Sequence, residues 1–348
     1  MKVCFPIMPA PQGGGNYVML QFIRYLEGQG VSVTHTMSDR YDVLFTNHWT
    51  VPYTTVLSAL RRNPNIRLVH RIDGSAQDYG RHSRSDAMQS RVNTLMDATI
   101  FQSNYARYAT REKFHVIAQD GPVIYNPVDL NLFNPMGPAN PKVQEISYET
   151  KLCTVSWSTN PRKGAQSVYA VAKSNPDIGF ILAGNFPDAP PLPNLLALGV
   201  LGREELAATL RSGTAFLTFS ENEACPNAVI EAMASGLPVL YHESGGTPEV
   251  VGECGEPVDI ESFRPALDHI LAKGPALAFA TRTRAEQEFE PTKAFGQYLD
   301  TITAAIARPP VVSSLRRRIL SWSPRQVAEY NAREWVKRLR QVIQAKVA

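Results

Sequence analysis

Short runs of apolar residues alternate with longer amphipathic patterns along most of the chain. The short runs have the length and composition of strands buried in a parallel sheet, and patterns such as 16–27 repeat with the period of a helix. In a first series, the runs that predict strands are Val3–Ile7, Val31–Thr36, Val43–Thr46, Ile66–Ile72, Ala98–Gln102 and Val123–Tyr125. In a second series, they are Leu152–Trp157, Ile178–Ala183, Leu198–Leu201, Ala215–Phe219 and Pro238–Tyr241. This alternation predicts an α/β fold of two Rossmann-like domains whose parallel sheets face each other across a cleft.

A group of Pro, Gly and Asn residues over 134–142 separates the two series and predicts a linker. Open parallel sheets bind ligands at the carboxyl ends of their strands, so the cleft is the predicted site. The predicted units are a first domain over 1–135, a linker over 136–150, a second domain over 151–308 and a basic helical segment over 309–348.

Length and composition exclude several classes of protein. The 348 residues fit two domains, and no apolar run approaches the roughly 18 residues of a membrane-spanning helix. The N-terminal apolar run is too short for a secretory signal. The four cysteines lie far apart, without the spacing of a metal site, and predict free thiols in a cytoplasmic protein.

Charge is distributed unevenly along the chain. Residues 311–348 contain nine Lys or Arg against two Glu, which leaves the rest of the chain slightly acidic. The acidic body argues against binding of nucleic acid. The basic segment fits either a solvated helix face or a surface that contacts an anionic membrane. An apolar stripe predicts that the segment also packs on the body, through Trp335, Leu339, Val342 and Ile343.

The densest group of chemically informative residues lies between 220 and 252. A polar loop with Glu223 follows a predicted strand, Pro226 stands where a helix would begin, and Gly236 ends that helix. The first turn of such a helix presents unpaired N–H groups to the cleft and suits a phosphate. One strand later, Gly245-Gly246-Thr247-Pro248 repeats the arrangement, with Thr247 as the expected N-cap.

Two acidic residues of this stretch are separated by eight positions. On one helix, Glu223 and Glu231 would stand about 12 Å apart, too far to share a proton or a metal ion. They would instead accept hydrogen bonds from hydroxyl groups at opposite ends of an elongated ligand. A nucleotide sugar fits this description, with its diphosphate on the helix N-terminus between them.

Together these motifs resemble the donor-binding signature of glycosyltransferase family 4, a group of retaining enzymes with the GT-B fold. The resemblance is carried by Glu-x7-Glu, by Ala-Met-Ala-x-Gly-x-Pro-Val and by Gly-Gly-x-Pro-Glu-Val-Val, and is specific over about 150–260. It implies that Glu231 binds the ribose hydroxyls. It also implies that Glu223 and the backbone of the next residues hold the transferred sugar and its phosphate; these residues are Ala224, Cys225, Pro226 and Asn227.

Basic residues after the first strand of the second domain would meet the diphosphate. Lys163 is placed to reach it as a point charge, with Arg162 beside it. The family usually has Gly-Arg six residues before this Lys-Gly, and here Trp157 stands where that arginine is expected. Arg162 is the candidate for the second cation.

Further residues are assigned by their place at predicted strand ends. By resemblance, Gly14 and Gly15 of the loop 12–16 face the donor phosphate, and either Asp73 or His70 contacts the transferred sugar. Alternation along a strand puts Asp73 and His70 on opposite faces, and Asp73 lies closer to the strand end, so Asp73 is preferred. The remaining candidates are Ser103 on the acceptor side and Gly184 and Leu201 at the nucleotide base.

These features predict a retaining, metal-independent glycosyltransferase that uses a nucleotide-diphosphate sugar and a sugar, lipid-linked or small-molecule acceptor. Lys163, Arg162 and the helix N-termini would stabilise charge on the departing phosphate. Retention by same-face attack, with the leaving phosphate deprotonating the acceptor, is implied by the resemblance alone. Two alternatives stay open: an epimerase or hydrolase of the same fold, and a non-catalytic sugar-nucleotide-binding protein, which the departure at Trp157 favours. A dehydrogenase is less favoured because the glycine loop lacks the dinucleotide-binding spacing.

Overall fold

Two parallel β-sheets, each covered by helices, organise the protein. The computed structural model describes residues 1–10, 14–311, 316, 320–323, 325–326, 328–330, 332–333 and 336. In chain order, the strands of this part are β1 (Lys2–Cys4), β2 (Ser32–Thr34), β3 (Val43–Asn47), β4 (Arg67–Ile72), β5 (Ala98–Phe101), β6 (Lys151–Ser156), β7 (Gly179–Gly184), β8 (Leu195–Gly199), β9 (Ala215–Thr218), β10 (Val239–Tyr241) and β11 (Gly255–Pro257). The strands lie in the orders β2-β1-β3-β4-β5 and β11-β10-β9-β6-β7-β8. The predicted α/β class with two Rossmann-like domains is confirmed.

Helices connect the strands as parallel pairing requires. They are α1 (Gly14–Gly28), α2 (Tyr53–Arg62), α3 (Arg84–Asn93), α4 (Asn104–Tyr108), α5 (Pro141–Gln144), α6 (Ala165–Ser174), α7 (Arg203–Arg211), α8 (Asn227–Ala234), α9 (Thr247–Val251), α10 (Phe263–Glu288) and α11 (Pro291–Ala307). Within α10, Gly274 has φ 54° and precedes Pro275, so the helix is kinked there. Among the described helices, none combines the length and hydropathy that crossing a bilayer requires.

Strand register brings the ends of the central strands to one edge of each sheet. In the first domain, Thr46 pairs with His70 and Asn47 pairs with Arg71. Strands β3 and β4 are buried almost throughout; β3 has the apolar run expected of such a strand, whereas β4 also buries His70 and Arg71. The residues that follow them therefore face the cleft together.

Two predicted elements differ from the structure, and a third element was not predicted. Strand β8 begins at Leu195 instead of Leu198, and the run 123–125 contributes an isolated bridge between Val123 and Phe101. Strand β11, Gly-Glu-Pro, was not predicted because three residues with Gly and Pro carry no strand signal.

The last long helix crosses from the second domain back to the first. Phe295, Tyr298 and Ile302 of α11 are buried in the same apolar cluster as Phe22 of α1. The Phe295 and Phe22 rings stack with centroids 5.6 Å apart. The second domain was predicted to extend to 308, but residues 291–307 pack with the first domain because their apolar stripe matches its core. Conversely, Val143 of the predicted linker is buried in the second domain.

A buried arginine joins α11 to the first sheet. Arg71 is fully buried. Its Nε donates to the Tyr298 hydroxyl at 2.8 Å, and its two other nitrogens donate to Asn47 Oδ1 at 2.8 Å and Asn126 Oδ1 at 2.6 Å. All three donor groups thus have neutral oxygen partners, which offset the cost of removing the guanidinium from water.

Described residues of the basic C-terminal segment contact the first domain. Arg316 forms a buried ion pair with Asp97, with Nη2 2.8 Å from Oδ2. Further along, the Tyr330 ring lies 5.3 Å from that of Trp322 and 6.1 Å from that of Tyr53 on α2. The predicted apolar stripe at 335, 339, 342 and 343 falls outside the described residues.

Changing Tyr298 to phenylalanine should destabilise the protein because the buried Nε of Arg71 loses its acceptor. Loss of a buried hydrogen bond to a charged group costs about 1.5–3 kcal/mol in the free energy of unfolding. Urea denaturation of the full chain measures the effect. The matched control is Tyr108→Phe at a half-exposed tyrosine of α4, which should change stability by less than about 0.5 kcal/mol. Equal effects of the two substitutions would contradict this account of Arg71.

Candidate functional site

The loop between β9 and α8 forms the floor of the candidate site. Strand β9 ends at Thr218, Glu223 lies in the loop, and α8 begins at Asn227 with Pro226 as its N-cap. No side chain caps this helix start, so its first N–H groups remain available for an anion. Pro226 stands one position before the helix, where no backbone hydrogen bond from its nitrogen is required.

Lys163 and Glu223 form an ion pair at one end of the site. The Lys163 ammonium donates to Glu223 Oε1, and both side chains are more than four-fifths buried. Burial lowers the pKa of Lys163, but Glu223 and Tyr79 raise this pKa by more than burial lowers it. The pKa of Lys163 therefore lies above its usual value. Lys163 is positioned by a tight turn whose Gly164 has φ 72° and would place a Cβ 2.5 Å from Phe219. The two residues predicted to meet the transferred sugar and the diphosphate are thus in direct contact.

Tyr79 of the first domain covers this ion pair and was not predicted from the sequence. Its ring centroid lies 5.9 Å from Lys163 Nζ and 4.9 Å from the Arg81 guanidinium carbon. Burial and then Glu223 raise the pKa of Tyr79, so its hydroxyl stays protonated. The residue lies in a loop after Asp73-Gly74, where the sequence offers no periodic pattern to locate a side chain.

Arg162 lies at the rim and does not share the partner of Lys163. Its Nη1 donates to Glu221 Oε2 at 2.9 Å, and its side chain is about one-third exposed. Trp157 is half exposed, and its carbonyl accepts a hydrogen bond from Asn185. Arg162 is therefore near the predicted diphosphate position, but a ligand would have to compete with Glu221 for it.

Glu231 lies on α8 beside Arg203, at the opposite end of the site. Arg203 Nη1 is 3.2 Å from Glu231 Oε1, and the guanidinium carbon lies 3.6 Å from the centroid of the Tyr17 ring. Burial raises the pKa of Glu231 to about 7, although Arg203 opposes the shift. Glu223 and Glu231 thus have separate cationic partners, as two ends of one elongated site would. Arg203, at the start of α7, was not predicted because a first-turn arginine reads as a solvated residue.

First-domain residues stand directly across from this floor. A Cβ on Gly14 would lie 2.2 Å from Asn227 Nδ2, and a Cβ on Gly74 would lie 3.3 Å from that of Ala224. Asp73, next to Gly74, is exposed, and its Oδ1 accepts from Gln102 Nε2 at 2.5 Å. The structure therefore brings the predicted Gly14 and Asp73 to the second-domain loop. Apart from its chain neighbours and the backbone of its own helix, Gly15 has no atom within 4 Å of the position that a Cβ would take.

Two predicted residues do not line the cleft. His70 is fully buried, and its Nε2 lies 3.0 Å from the His48 carbonyl oxygen. Burial lowers the pKa of His70 to about 4, so it is a neutral core residue. Ser103 is also fully buried, and its Oγ accepts from Ala106 N as the N-cap of α4. Neither side chain is exposed to the cleft: His70 is enclosed within the first domain, and Ser103 Oγ lies 3.2 Å from the position that a Cβ on Gly246 of the second domain would take.

Asn126, which reads as a turn residue in the sequence, bridges the domains instead. Its Nδ2 donates to Asn227 Oδ1 at 2.8 Å and to the Cys225 carbonyl at 3.3 Å, while its Oδ1 accepts from Arg71. Burial raises the pKa of Cys225 to about 12, so its thiol is a packed, protonated group. All four cysteines are free and buried.

The two residues predicted at the nucleotide base occupy strand ends of the second sheet. Gly184 ends β7 with φ 114°, and a Cβ there would lie 2.0 Å from the Ser156 carbonyl oxygen. This close approach is sufficient reason for glycine. Leu201 is partly buried just after β8, two residues before Arg203.

The comparison with known families agrees with this geometry. The family model described as Glycosyl transferases group 1 matches residues 159–273, which include Lys163, Glu223 and Glu231. Residues 159–273 are thus similar to group 1 glycosyl transferases. The resemblance to glycosyltransferases is confirmed, and the assignment to family 4 stays a prediction.

Mannosyltransferases are among the curated relatives of the chain. A GDP-mannose-dependent alpha-mannosyltransferase from Mycolicibacterium smegmatis is 31% identical over 123 residues, covering 32% of this chain and 33% of that protein. The MMP alpha-(1->4)-mannosyltransferase from Mycolicibacterium hassiacum is 28% identical over 203 residues, covering 53% of this chain and 47% of that protein. The chain thus spans between a third and about half of the length of these relatives.

Solved structures extend the likeness from residues 159–273 to most of the chain. Anabaena HepE in complex with UDP and glucose has a TM-score of 0.72 at 16% identity, covering 87% of this chain and 100% of that one. Sucrose-phosphate synthase from Thermosynechococcus elongatus has a TM-score of 0.70 at 18% identity, covering 87% and 99%. At such identities the likeness establishes the fold alone, and the predicted GT-B architecture is confirmed.

Changing Glu231 to glutamine should weaken the pH dependence of stability. The pKa is raised to about 7 in the folded protein, against an ordinary value of 4.5. Between these values the folded state keeps a proton that the unfolded state has released, so this group's contribution to stability falls as pH rises. Between about pH 5 and pH 8, the free energy of unfolding of the wild type should fall by about 2–3 kcal/mol relative to that of Glu231→Gln.

Urea denaturation at both pH values measures this difference in the free energy of unfolding. Glu253→Gln, at an exposed glutamate just after α9, is the control and should follow the wild type. A difference between wild type and Glu231→Gln that stays constant with pH would show that burial does not perturb Glu231.

Proposed function

We propose that the protein is a retaining glycosyltransferase that moves a sugar from a nucleotide-diphosphate donor to a hydroxyl group of an acceptor. The observation that carries the proposal is the pairing of Glu223 with Lys163 and of Glu231 with Arg203 on either side of the α8 N-terminus. This arrangement offers hydrogen-bond acceptors at two ends and unpaired N–H groups between them. A ribose, a diphosphate and a hexose match these three positions in order.

The donor's phosphate charge would be met by groups that are already in place. A β-phosphate at the start of α8 would take Lys163 as its counter-ion, which releases Glu223 Oε1 to accept from a sugar hydroxyl. Negative charge grows on this phosphate as the bond to the anomeric carbon breaks, so cations and N–H groups there stabilise the transition state more than the ground state. Arg162 supplies the second cation after exchange with Glu221. The backbone of Ala224 and Cys225 completes the phosphate and sugar contacts.

Glu231 and the strand ends of the second sheet would hold the nucleoside. Glu231 accepts hydrogen bonds from the ribose hydroxyls, and its contact with Arg203 fixes the orientation of its carboxylate. Gly184 and Leu201 lie at the ends of the neighbouring strands, and their backbone would border the base.

The acceptor would approach from the first domain. Asp73 is exposed beside Gly74, which faces Ala224 across the cleft, so its carboxylate would contact the transferred sugar at the side of the incoming hydroxyl. Gly14 and Gly15 border the phosphate from the same domain. Retention by same-face attack, with the leaving phosphate accepting the proton from the acceptor, completes the proposed reaction. No divalent cation is required in this scheme.

The location and the acceptor are also part of the proposal. We place the enzyme in the cytoplasm, with its basic C-terminal segment available for peripheral contact with the inner face of an anionic membrane. Acceptors are sugars, lipid-linked glycans or small molecules. A non-catalytic nucleotide-sugar-binding protein is the second candidate, favoured by the half-exposed Trp157 in the place of the usual arginine.

Nucleotides that match the donor should raise the thermal stability of the protein. One curated relative is named for GDP-mannose and one solved neighbour was crystallised with UDP and glucose, so the screen compares UDP, GDP and ADP with their sugars. A ligand at 100 times its dissociation constant adds about 2.7 kcal/mol to the folded state. EDTA should leave the shift unchanged. Absence of a shift with every nucleotide would contradict the proposal.

Changing Lys163 to alanine should abolish most turnover without unfolding the protein. Loss of one charge-stabilising contact in the transition state costs about 2–3 kcal/mol, or roughly a hundredfold in rate. The measurement is nucleotide release from the donor selected by the thermal screen, in the presence of candidate acceptors. Lys173→Ala, at an exposed lysine of α6, is the matched control. Nucleotide binding without release, in the wild type and across many acceptors, would favour the non-catalytic candidate.

A further inference from the structure

Glu249 makes the most extensive contact of a single side chain across the cleft that the described residues show. From α9 of the second domain, its Oε1 accepts from Tyr105 N at 2.7 Å, and its Oε2 accepts from Asn104 N and Asn104 Nδ2, both at 3.0 Å. Oε2 also accepts from the Tyr125 hydroxyl at 3.0 Å. One carboxylate therefore has four hydrogen-bond donors, two of them backbone N–H groups of α4 in the first domain.

The start of α9 packs against the loop that holds Glu223. Gly246 N donates to the Glu223 carbonyl at 2.7 Å. A Cβ on Gly245 would lie 2.6 Å from Glu223 N, and a Cβ on Gly246 would lie 2.2 Å from the Ala224 carbonyl oxygen. The backbone at the start of α9 is therefore in direct contact with the loop, and we expect the two to move together. A displacement of Glu223 or Ala224 therefore displaces Glu249.

The far end of α9 is fixed as well. Arg284 of α10 donates from Nε to the Val250 carbonyl at 2.9 Å and from Nη2 to the Glu249 carbonyl at 2.7 Å. The backbone of α9 is thus held between the Glu223 loop and α10. The Glu249 side chain is the part of the helix that reaches the first domain.

We propose that Glu249 is a positioning residue that couples the donor loop around Glu223 to the acceptor domain through α4. Ser103, the N-cap of α4, follows β5, so a shift of α4 also moves this strand end and its neighbour Gln102, which holds Asp73. When a bound donor orders the loop around Glu223, Glu249 transmits this order to α4 and so fixes the orientation of the first domain. The acceptor hydroxyl is therefore aligned for the reaction only when the donor is bound. This inference rests on the proposed function.

Hydrogen exchange of the Asn104 and Tyr105 amides tests the coupling directly. In the wild type, a nucleotide that stabilises the protein in the thermal screen should slow exchange at these two amides several-fold, although it binds on the other side of the Glu223 loop. In Glu249→Ala, exchange should be about tenfold faster and should no longer respond to the nucleotide. Glu253→Ala should behave as the wild type.

Kinetics provide the second measurement. Glu249→Ala should bind the nucleotide with an affinity within about threefold of the wild type. Its turnover, measured as release of nucleotide from the nucleotide sugar, should be about a hundredfold slower, because misalignment affects the reaction and not the donor site. Asn104→Ala and Tyr125→Phe each remove one hydrogen-bond donor to the Glu249 carboxylate, and they replace Glu249→Ala in the test if that variant does not fold. Each should slow turnover as Glu249→Ala does, but by a smaller factor.

The outcomes separate the coupling from the proposed function. Wild-type amides at 104 and 105 that do not respond to a bound nucleotide overturn the coupling, even if the protein is a glycosyltransferase. Unaltered turnover in Glu249→Ala also overturns it. If no nucleotide binds, the proposed function itself fails.

Discussion

The buried guanidinium of Arg71 is the constraint on which the arrangement of the two domains depends. A charge with no exposed surface must have every N–H group satisfied, and its partners come from three different parts of the chain: Asn47, Asn126 and Tyr298. Tyr298 requires α11 to cross back onto the first domain. Asn126 in turn donates to Asn227, the first residue of α8. The satisfaction of one buried cation therefore constrains where the N-terminal end of α8 stands relative to the first sheet.

Charge in the cleft is arranged in pairs that a ligand would have to rearrange. Lys163 is held by Glu223, Arg162 by Glu221 and Arg203 by Glu231. Each pair keeps a partly buried cation compensated. Because each glutamate is also a hydrogen-bond acceptor for hydroxyl groups, exchange of the cation onto phosphate leaves a carboxylate free for sugar. The same pairs thus compensate partly buried charge and, in the proposed function, supply both halves of a donor site.

Much of the site was predictable from local sequence because its parts are close in the chain. Glu223, Pro226 and Glu231 are carried by one loop and helix, and Lys163 by one turn, so their spacing alone indicates a phosphate between two acids. Residues that act across the cleft were missed or misplaced. Tyr79, Arg203 and Asn126 have ordinary sequence surroundings, while His70 within β4 and Ser103 at the start of α4 are fully buried.

The sequence by itself determined the alternation of strands and helices, the two domains, and the loops of the candidate site, because each depends on periodicity, breakers or helix starts within a few residues. The tertiary structure decided which residues face one another over long separations. It assigned α11 to the first domain, made Asn126 a bridge, and placed Glu249 on backbone N–H groups about 145 residues away. The physical reason is that burial and hydrogen-bond satisfaction between distant segments leave no periodic trace in either segment alone.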